Sequence, residues 1–339
     1  MAVVVNPVLA RELKERMRGR RAVIILTLYL VLLTLALWLV YEAASSANDF
    51  GNPAPLQLAE VGSTVFEWVL FFMLLILLFL VPAQTAGAIA GERERQTLVP
   101  LQITLLSPRS ILLGKVCAAM SFLGLLVIAA VPLLSIAYLI GGVTIAEVLG
   151  GTALVLATGV CIGTLCAAIS TYTRRVQSAT VLSYGLTLGL TIGTLLLYGA
   201  AAVVDQSRGV DEADPPAFLI ALNPVAIVGD LVGSRDDQSE SSPFDAIKVL
   251  TQPERALVQF EDVGGPIGGA FPVPIDRGNV AVIGGELLEI DAGQPDFQID
   301  DGGGGFPYWL GSLLALAGIS AVALGRAARR LRTPAERER

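Results

Sequence analysis

Residues 86–115 read AGAIAGERERQTLVPLQITLLSPRSILLGK, and the interpretation of this stretch decides how the chain is organised. It lies between two apolar runs, about 65–90 and about 112–140, each able to cross a membrane. Four consecutive charges, Glu92, Arg93, Glu94 and Arg95, stand where the first run gives out. Pro100 lacks an N–H and biases Val99 away from the helical region, so the helix leaving the membrane is expected to end there. Ser107-Pro108 reads as N-cap and first helical position of the helix that re-enters. Lys115 is placed to lay its stem along lipid with its ammonium at the interface. Two short amphipathic helical pieces at a membrane surface follow from this. Leu98, Leu101, Ile103, Leu105 and Leu106 alternate with polar residues, which puts apolar surface on the water side. The segment is therefore expected to be a docking surface rather than a helix resting on headgroups.

Working outward, the composition agrees with a polytopic membrane protein. Hydrophobic residues make up 54% and charged residues 16% of the 339, and mean hydropathy is +0.68. Spans are expected at about 22–41, 65–90, 112–140, 145–170, 177–204 and 306–326. The first is about 20 residues long, beyond a secretory h-region, and is expected to be retained. Residues 6–21 precede it, with Asn6 and Pro7 as helix start. Leu9, Leu13 and Met17 recur along one face of a basic amphipathic helix on the membrane surface.

The net charge of −7 hides a segregation by position. Of 23 Lys and Arg, eighteen fall in residues 11–21, 93–115, 174–175 and 326–339, and connections 42–64 and 141–147 carry none. That pattern places both termini in the cytoplasm. Because the basic clusters all flank spans, no nucleic-acid footprint follows. The chain has no His, which excludes His-based acid–base catalysis and His-ligated zinc or haem. Cys117, Cys161 and Cys166 sit inside spans and read as packing residues.

Two spans carry faces of small residues. Gly185, Gly189 and Gly193 recur at i, i+4 and i+8 in span 5, and Gly159 and Gly163 do so in span 4. Such ridges allow close helix approach, either inside one subunit or between two. Pro132 is expected to kink span 3. Glu67, one turn into span 2 at its outer end, reads as an interfacial carboxylate.

Residues 205–305 are rich in Gly, Pro and Asp and form an extracytoplasmic insertion between spans 5 and 6. Its acidic clusters (Asp211, Glu212 and Asp214; Asp236 and Asp237; Asp300 and Asp301) lack EF-hand spacing and read as solvated loop. A short outer-surface helix over Leu222–Val232 and strands at Ala256–Phe260, Val280–Ile283 and Leu287–Ile290 fit the pattern. At about 100 residues the insertion is too long for a bare connection, so a small domain is expected. The expected organisation is an all-α membrane protein. A membrane domain over 1–204 is followed by the insertion over 205–305, then span 6 with a basic tail over 306–339.

At Glu92 to Arg95, Thr97-Leu98, Thr104, Leu106-Ser107 and Ile111 to Lys115 the chain resembles the membrane subunits of ABC-2 type transporters. Those carry E-x-E-R-x-T-L-E-x-L-L-x-T-P-L-S and then I-x-x-G-K after their second span; Val99, Pro100 and Leu105 depart from the pattern. The resemblance covers spans 1–5 and hardly extends into 205–305. It implies a permease working with a second permease subunit and cytoplasmic ABC ATPases, with residues 86–115 as the ATPase coupling segment. No G-x-x-x-x-G-K-[ST] loop occurs in the sequence, so ATP hydrolysis is expected on a partner, with no cofactor in this chain. Glu42-Ala43-Ala44 imitates the start of an importer motif, but Asn48 stands at its glycine and the site faces outward, so export is favoured. The alternative is a secondary transporter or channel independent of ATP. It would want intramembrane carboxylates or an inverted repeat, and the spans supply only Glu67. A membrane-embedded enzyme has almost no chemistry to use with no His and three Lys.

Overall fold

A computed structural model of the protein describes residues 19–47, 55–96, 108–207, 218–233, 243–244, 280–283, 286–289 and 308–330. The expected surface helix over 6–21 lies outside them except at its end, where Arg20 and Arg21 begin the helix that carries the first span. In lipid every backbone N–H and C=O must be satisfied within the segment, so long apolar runs fold as helices. The described helices are α1 (Arg20–Ala47), α2 (Pro55–Thr85), α3 (Gly87–Glu94), α4 (Pro108–Ile140) and α5 (Ile145–Tyr172). They continue with α6 (Val176–Leu188), a π-helical turn (Gly189–Gly193), α7 (Thr194–Ser207), α8 (Phe218–Ala221), α9 (Pro224–Gly233) and α10 (Tyr308–Arg330). Six helices among these residues are long and apolar enough to cross a membrane: 22–45, 59–94, 112–140, 145–172, 176–201 and 308–330. Pro108 does open α4, as its fixed φ favours, and Pro132 lies inside that helix.

The second and fourth spans form the centre of the bundle. Helix α2 packs on α1, α4, α5, α6 and α9, while α5 packs on α2, α3, α4, α6, α9 and α10. Along α2, Val65, Val69, Leu70, Met73, Leu74, Leu77 and Val81 are fully buried. The outer spans keep broad apolar faces: Val23, Ile24, Leu28 and Trp38 on α1, and Val181, Leu182, Leu196 and Leu197 on the fifth span, are all exposed. Lipid tails are as apolar as these side chains, so packing quality rather than water exclusion decides which faces meet.

The chain divides into two units, one running to Thr251 and resuming at Tyr308, the other Gln252–Pro307. Described residues of the second unit form an antiparallel hairpin, β1 (Val280–Ile283) with β2 (Glu286–Glu289), registering Val280 opposite Glu289 and Ile283 opposite Glu286. The first strand coincides with the sequence expectation and the second lies one residue earlier. The expected strand at Ala256–Phe260 lies outside the described residues.

Helix α9 corrects the sequence reading. It forms where the pattern placed a helix, but it is packed into the bundle against α10, α5 and α2 rather than lying on an outer surface. The reason is composition: Val225, Ala226, Ile227 and Val228 are buried, leaving no continuous polar face to show to water. Asn223 starts the helix, its Oδ1 accepting from Val225 N (2.8 Å) and Ala226 N (3.3 Å). Its Nδ2 donates to Thr191 O (2.8 Å) and Thr194 Oγ1 (2.9 Å). The buried amide thus ties α9 to the π turn of the fifth span.

Candidate functional site

The basic end of the bundle is built around α3. Pro82 lacks the N–H that a continuous helix needs, and α2 passes into α3 through Ala86, which keeps helical φ and ψ and donates to Pro82 O at 2.9 Å. The first amides of α3 then need acceptors, and Ser170 Oγ on α5 accepts from both Ile89 N (3.0 Å) and Ala90 N (2.9 Å). Ala88, Ile89 and Ala90 are buried; Ile89 packs in a cluster with Leu112, Ala168, Ala327 and Ala328. This apolar face therefore meets neighbouring helices. The expected amphipathic piece on the membrane surface is instead an inserted wedge.

The charge run that follows is spent on the same wedge. Glu92 Oε1 accepts from Lys115 Nζ at 2.9 Å, and Lys115 is buried. The lysine does not snorkel along lipid as expected: it is on the face of α4 turned toward α3. Arg93 donates to Thr173 O (2.8 Å) and Thr171 O (3.3 Å), the carbonyls at the C-terminal end of α5. A cation there meets the negative end of the helix dipole. Glu94 Oε2 accepts from Val176 N (3.1 Å) at the start of α6, whose N-cap Arg175 makes no capping bond of its own. Three consecutive side chains thus fasten span 3, the end of span 4 and the start of span 5. Helix α3 stops at Glu94, with Gln96 at φ 60° in the left-handed region, so the termination precedes Pro100. Arg95 and Gln96 are exposed, as are Arg174 and Arg175. Thr97, Leu98, Thr104, Leu106 and Ser107 lie outside the described residues.

The two glycine faces separate cleanly. A Cβ on Gly159 would overlap Leu77 Cδ2, and one on Gly163 would overlap Met120 Cε and press Val81 Cγ1 at 3.3 Å. These glycines admit α2 and α4 against α5. By contrast, a Cβ on Gly185 or Gly189 would meet nothing within 4 Å, and Gly193 would meet only Leu188 O at 3.8 Å. The i, i+4, i+8 register assumed a uniform helical period. The π turn from Gly189 to Gly193 breaks it, because each π residue rotates less about the axis.

A sequence model described as ABC-2 family transporter protein matches residues 7–259. The chain belongs to that family. A search of the curated proteins finds no match to it. As a multi-pass ABC-2 permease the protein is a membrane transport component.

The opposite end of this ABC-2 protein holds a cavity of about 300 Å³ that the sequence did not announce. Its described walls come from α2 (Ser63, Phe66, Glu67), the turn before α5, α5 itself (Glu147, Gly150), α9 (Leu231) and α10 (Trp309). Glu67 is 4% exposed within the bundle. Glu147 stands in a capping box with Thr144: Thr144 N donates to Glu147 Oε2 (2.9 Å) and Glu147 N to Thr144 Oγ1 (3.3 Å). The turn is set by Gly141 and Gly142 at φ 120° and 78°. A Cβ on Gly62 would overlap Gly141 O, so only glycine lets α2 approach this turn. Asp230 Oδ2 accepts from Trp309 N at 2.9 Å and caps the start of α10. Burial pushes the Asp230 carboxyl above its usual range, and the Trp309 N–H offsets part of that. Apart from Glu67, these groups escaped the sequence reading because they converge from four separate parts of the chain.

Proposed function

We propose that the protein is the membrane-spanning subunit of an ABC exporter, driven by a separate cytoplasmic ATPase that docks at the basic end of the bundle. The observation that carries this reading is the α3 wedge. One short helix ties the cytoplasmic ends of spans 2, 3, 4 and 5 through Glu92–Lys115, Arg93 to Thr171 and Thr173, and Glu94 to Val176. A push on the segment leaving α3 therefore reaches four spans at once. Membership of the ABC-2 family implies an ABC ATPase as the source of that push.

Within the coupling segment 86–115 the roles divide. Glu92, Arg93, Glu94 and Lys115 hold the wedge in the bundle. Arg95, Arg174 and Arg175 offer their charges outward, and Thr97, Leu98, Thr104, Leu106 and Ser107 supply the rest of the docking surface. The basic end is cytoplasmic by the positive-inside asymmetry: among the described residues every Lys and Arg lies there. With that end cytoplasmic, the connection between spans 5 and 6 belongs, on this reading, to the extracytoplasmic side. A second permease subunit meets the open face around Gly185 and Gly189. Co-expression with the candidate ATPase should give a complex of two permeases and two ATPases that hydrolyses ATP in lipid. Failure of every co-expressed ATPase to co-purify, with the permease folded, would remove the proposal.

A further inference from the structure

We propose that the cavity between α2, α5, α9 and α10 is a binding site for an organic ammonium group. Two acidic side chains line it, Glu67 from α2 and Glu147 from α5, and none of the described lining residues is basic. Apart from Ser63 and glycines at Gly142 and Gly150, the rest of its lining is apolar, with Phe66 and Trp309 among it, so carboxylates share one cavity with aromatic and aliphatic side chains. An ammonium bearing carbon substituents satisfies both: its charge answers the carboxylates, and its weakly hydrated surface lies on aromatic faces. A hard metal cation fits less well, since no group of three or more Cys, Asp or Glu among the described residues is placed to hold one. The field at this end has the matching sign. Glu42, Glu60, Glu67, Glu147 and Asp230 are its described charges, with every described Lys and Arg at the other end.

The inference concerns binding alone and stands apart from the ATPase-driven reading, so its test uses no nucleotide. The purified full-length chain is placed in nanodiscs of phosphatidylglycerol, which carry no ammonium headgroup, and benzyltrimethylammonium binding is measured by equilibrium dialysis. Saturable binding is expected, weakened at least tenfold in Glu67→Gln. Gly150→Leu gives a second test that leaves both carboxylates in place. A Cβ there meets only Leu231 Cδ2 at 3.9 Å, an ordinary contact, and Gly150 lines the cavity, so the added side chain is expected to occupy it. It should abolish binding while keeping the wild-type melting temperature. Adding phosphatidylethanolamine to the discs separates two sources of the same chemistry: competition with the probe assigns the site to a lipid headgroup, and unchanged affinity assigns it to a free amine. Absence of saturable binding to the wild type, or equal binding by wild type, Glu67→Gln and Gly150→Leu, would overturn the proposal.

Discussion

Glu92 and Lys115 form the ion pair whose environment decides what the charge run does. Lys115 is 6% and Glu92 28% exposed in their side chains, so removing either leaves a largely desolvated charge. Fully buried pairs lose about 3–5 kcal/mol when one member is truncated. The partial exposure of Glu92 reduces this, and Glu92→Ala should cost about 1–3 kcal/mol. The double variant Glu92→Gln/Lys115→Met should recover most of the loss, because neither charge is then stranded. Thermal unfolding in detergent, followed by size exclusion, reads both; equal stability of Glu92→Ala and wild type would dismiss the structural role. Gln96 supplies a second test at this scale. A non-glycine residue at φ 60° costs about 1–2 kcal/mol relative to its usual conformations, so Gln96→Gly should raise stability by about 1 kcal/mol. A decrease would mean that the Gln96 side chain outweighs its backbone strain. The roles of these residues were only half legible in the sequence. Their position at the end of a span needed one-dimensional hydropathy alone. The partner of Glu92 lies 23 residues away and the bonds of Arg93 about 80 residues away, and no local pattern points to either.

Elements that look equivalent in sequence prove to have different neighbours. The glycines of span 4 receive Leu77, Val81 and Met120, whereas Gly185 and Gly189 in span 5 face open space. Substitution should therefore separate folding from assembly. Gly159→Leu overpacks the contact with Leu77 and should destabilise the single subunit by about 1–3 kcal/mol. Gly189→Ile should leave the monomer's melting temperature unchanged and weaken the permease pair by about 1–2 kcal/mol. Dimer dissociation in detergent, measured by fluorescence energy transfer, distinguishes them; an unaffected dimer in Gly189→Ile would make that face lipid-exposed. The spans themselves were readable because a bilayer demands about 20 apolar residues wherever the chain crosses it. The interruptions were not. The start of α3 is held by Ser170, 81 residues from Ile89, and the π turn is bound by Asn223, 32 residues from Thr191. In each case the local sequence reads as helix, and a distant side chain supplies the acceptor or donor that lets the helix change course. Helix α9 failed in the opposite direction: its short apolar run suggested a surface element, and only the packing of its neighbours admits it to the bundle.

At the scale of the whole molecule the charges separate by function as well as by end. The proposed orientation has a direct check. Single cysteines at Ser207 and Ser239 should label from outside the cell, and those at Thr97 and Thr333 only after permeabilisation. Labelling of Thr97 from outside would invert the topology. Coupling is the harder question, because the same basic end holds both the clamping side chains and the outward cations. Truncating Glu92, Arg93 or Glu94 disturbs the wedge itself, so a loss of transport in those variants says little about docking. Arg95, Arg174 and Arg175 are exposed, and exposed charges contribute about 0–1 kcal/mol to a fold. Against a partner they are partly desolvated, and truncating one member of such a pair can cost about 2–5 kcal/mol of binding. The triple variant Arg95→Glu/Arg174→Glu/Arg175→Glu should accordingly express, insert and melt like wild type, yet lose ATPase co-purification by at least tenfold. Lowering the salt should not restore it, since reversed charges repel rather than merely fail to attract. A triple variant that folds and still binds and couples its ATPase would move the docking surface away from the ends of α3 and α5. It would leave α3 as a structural clamp alone.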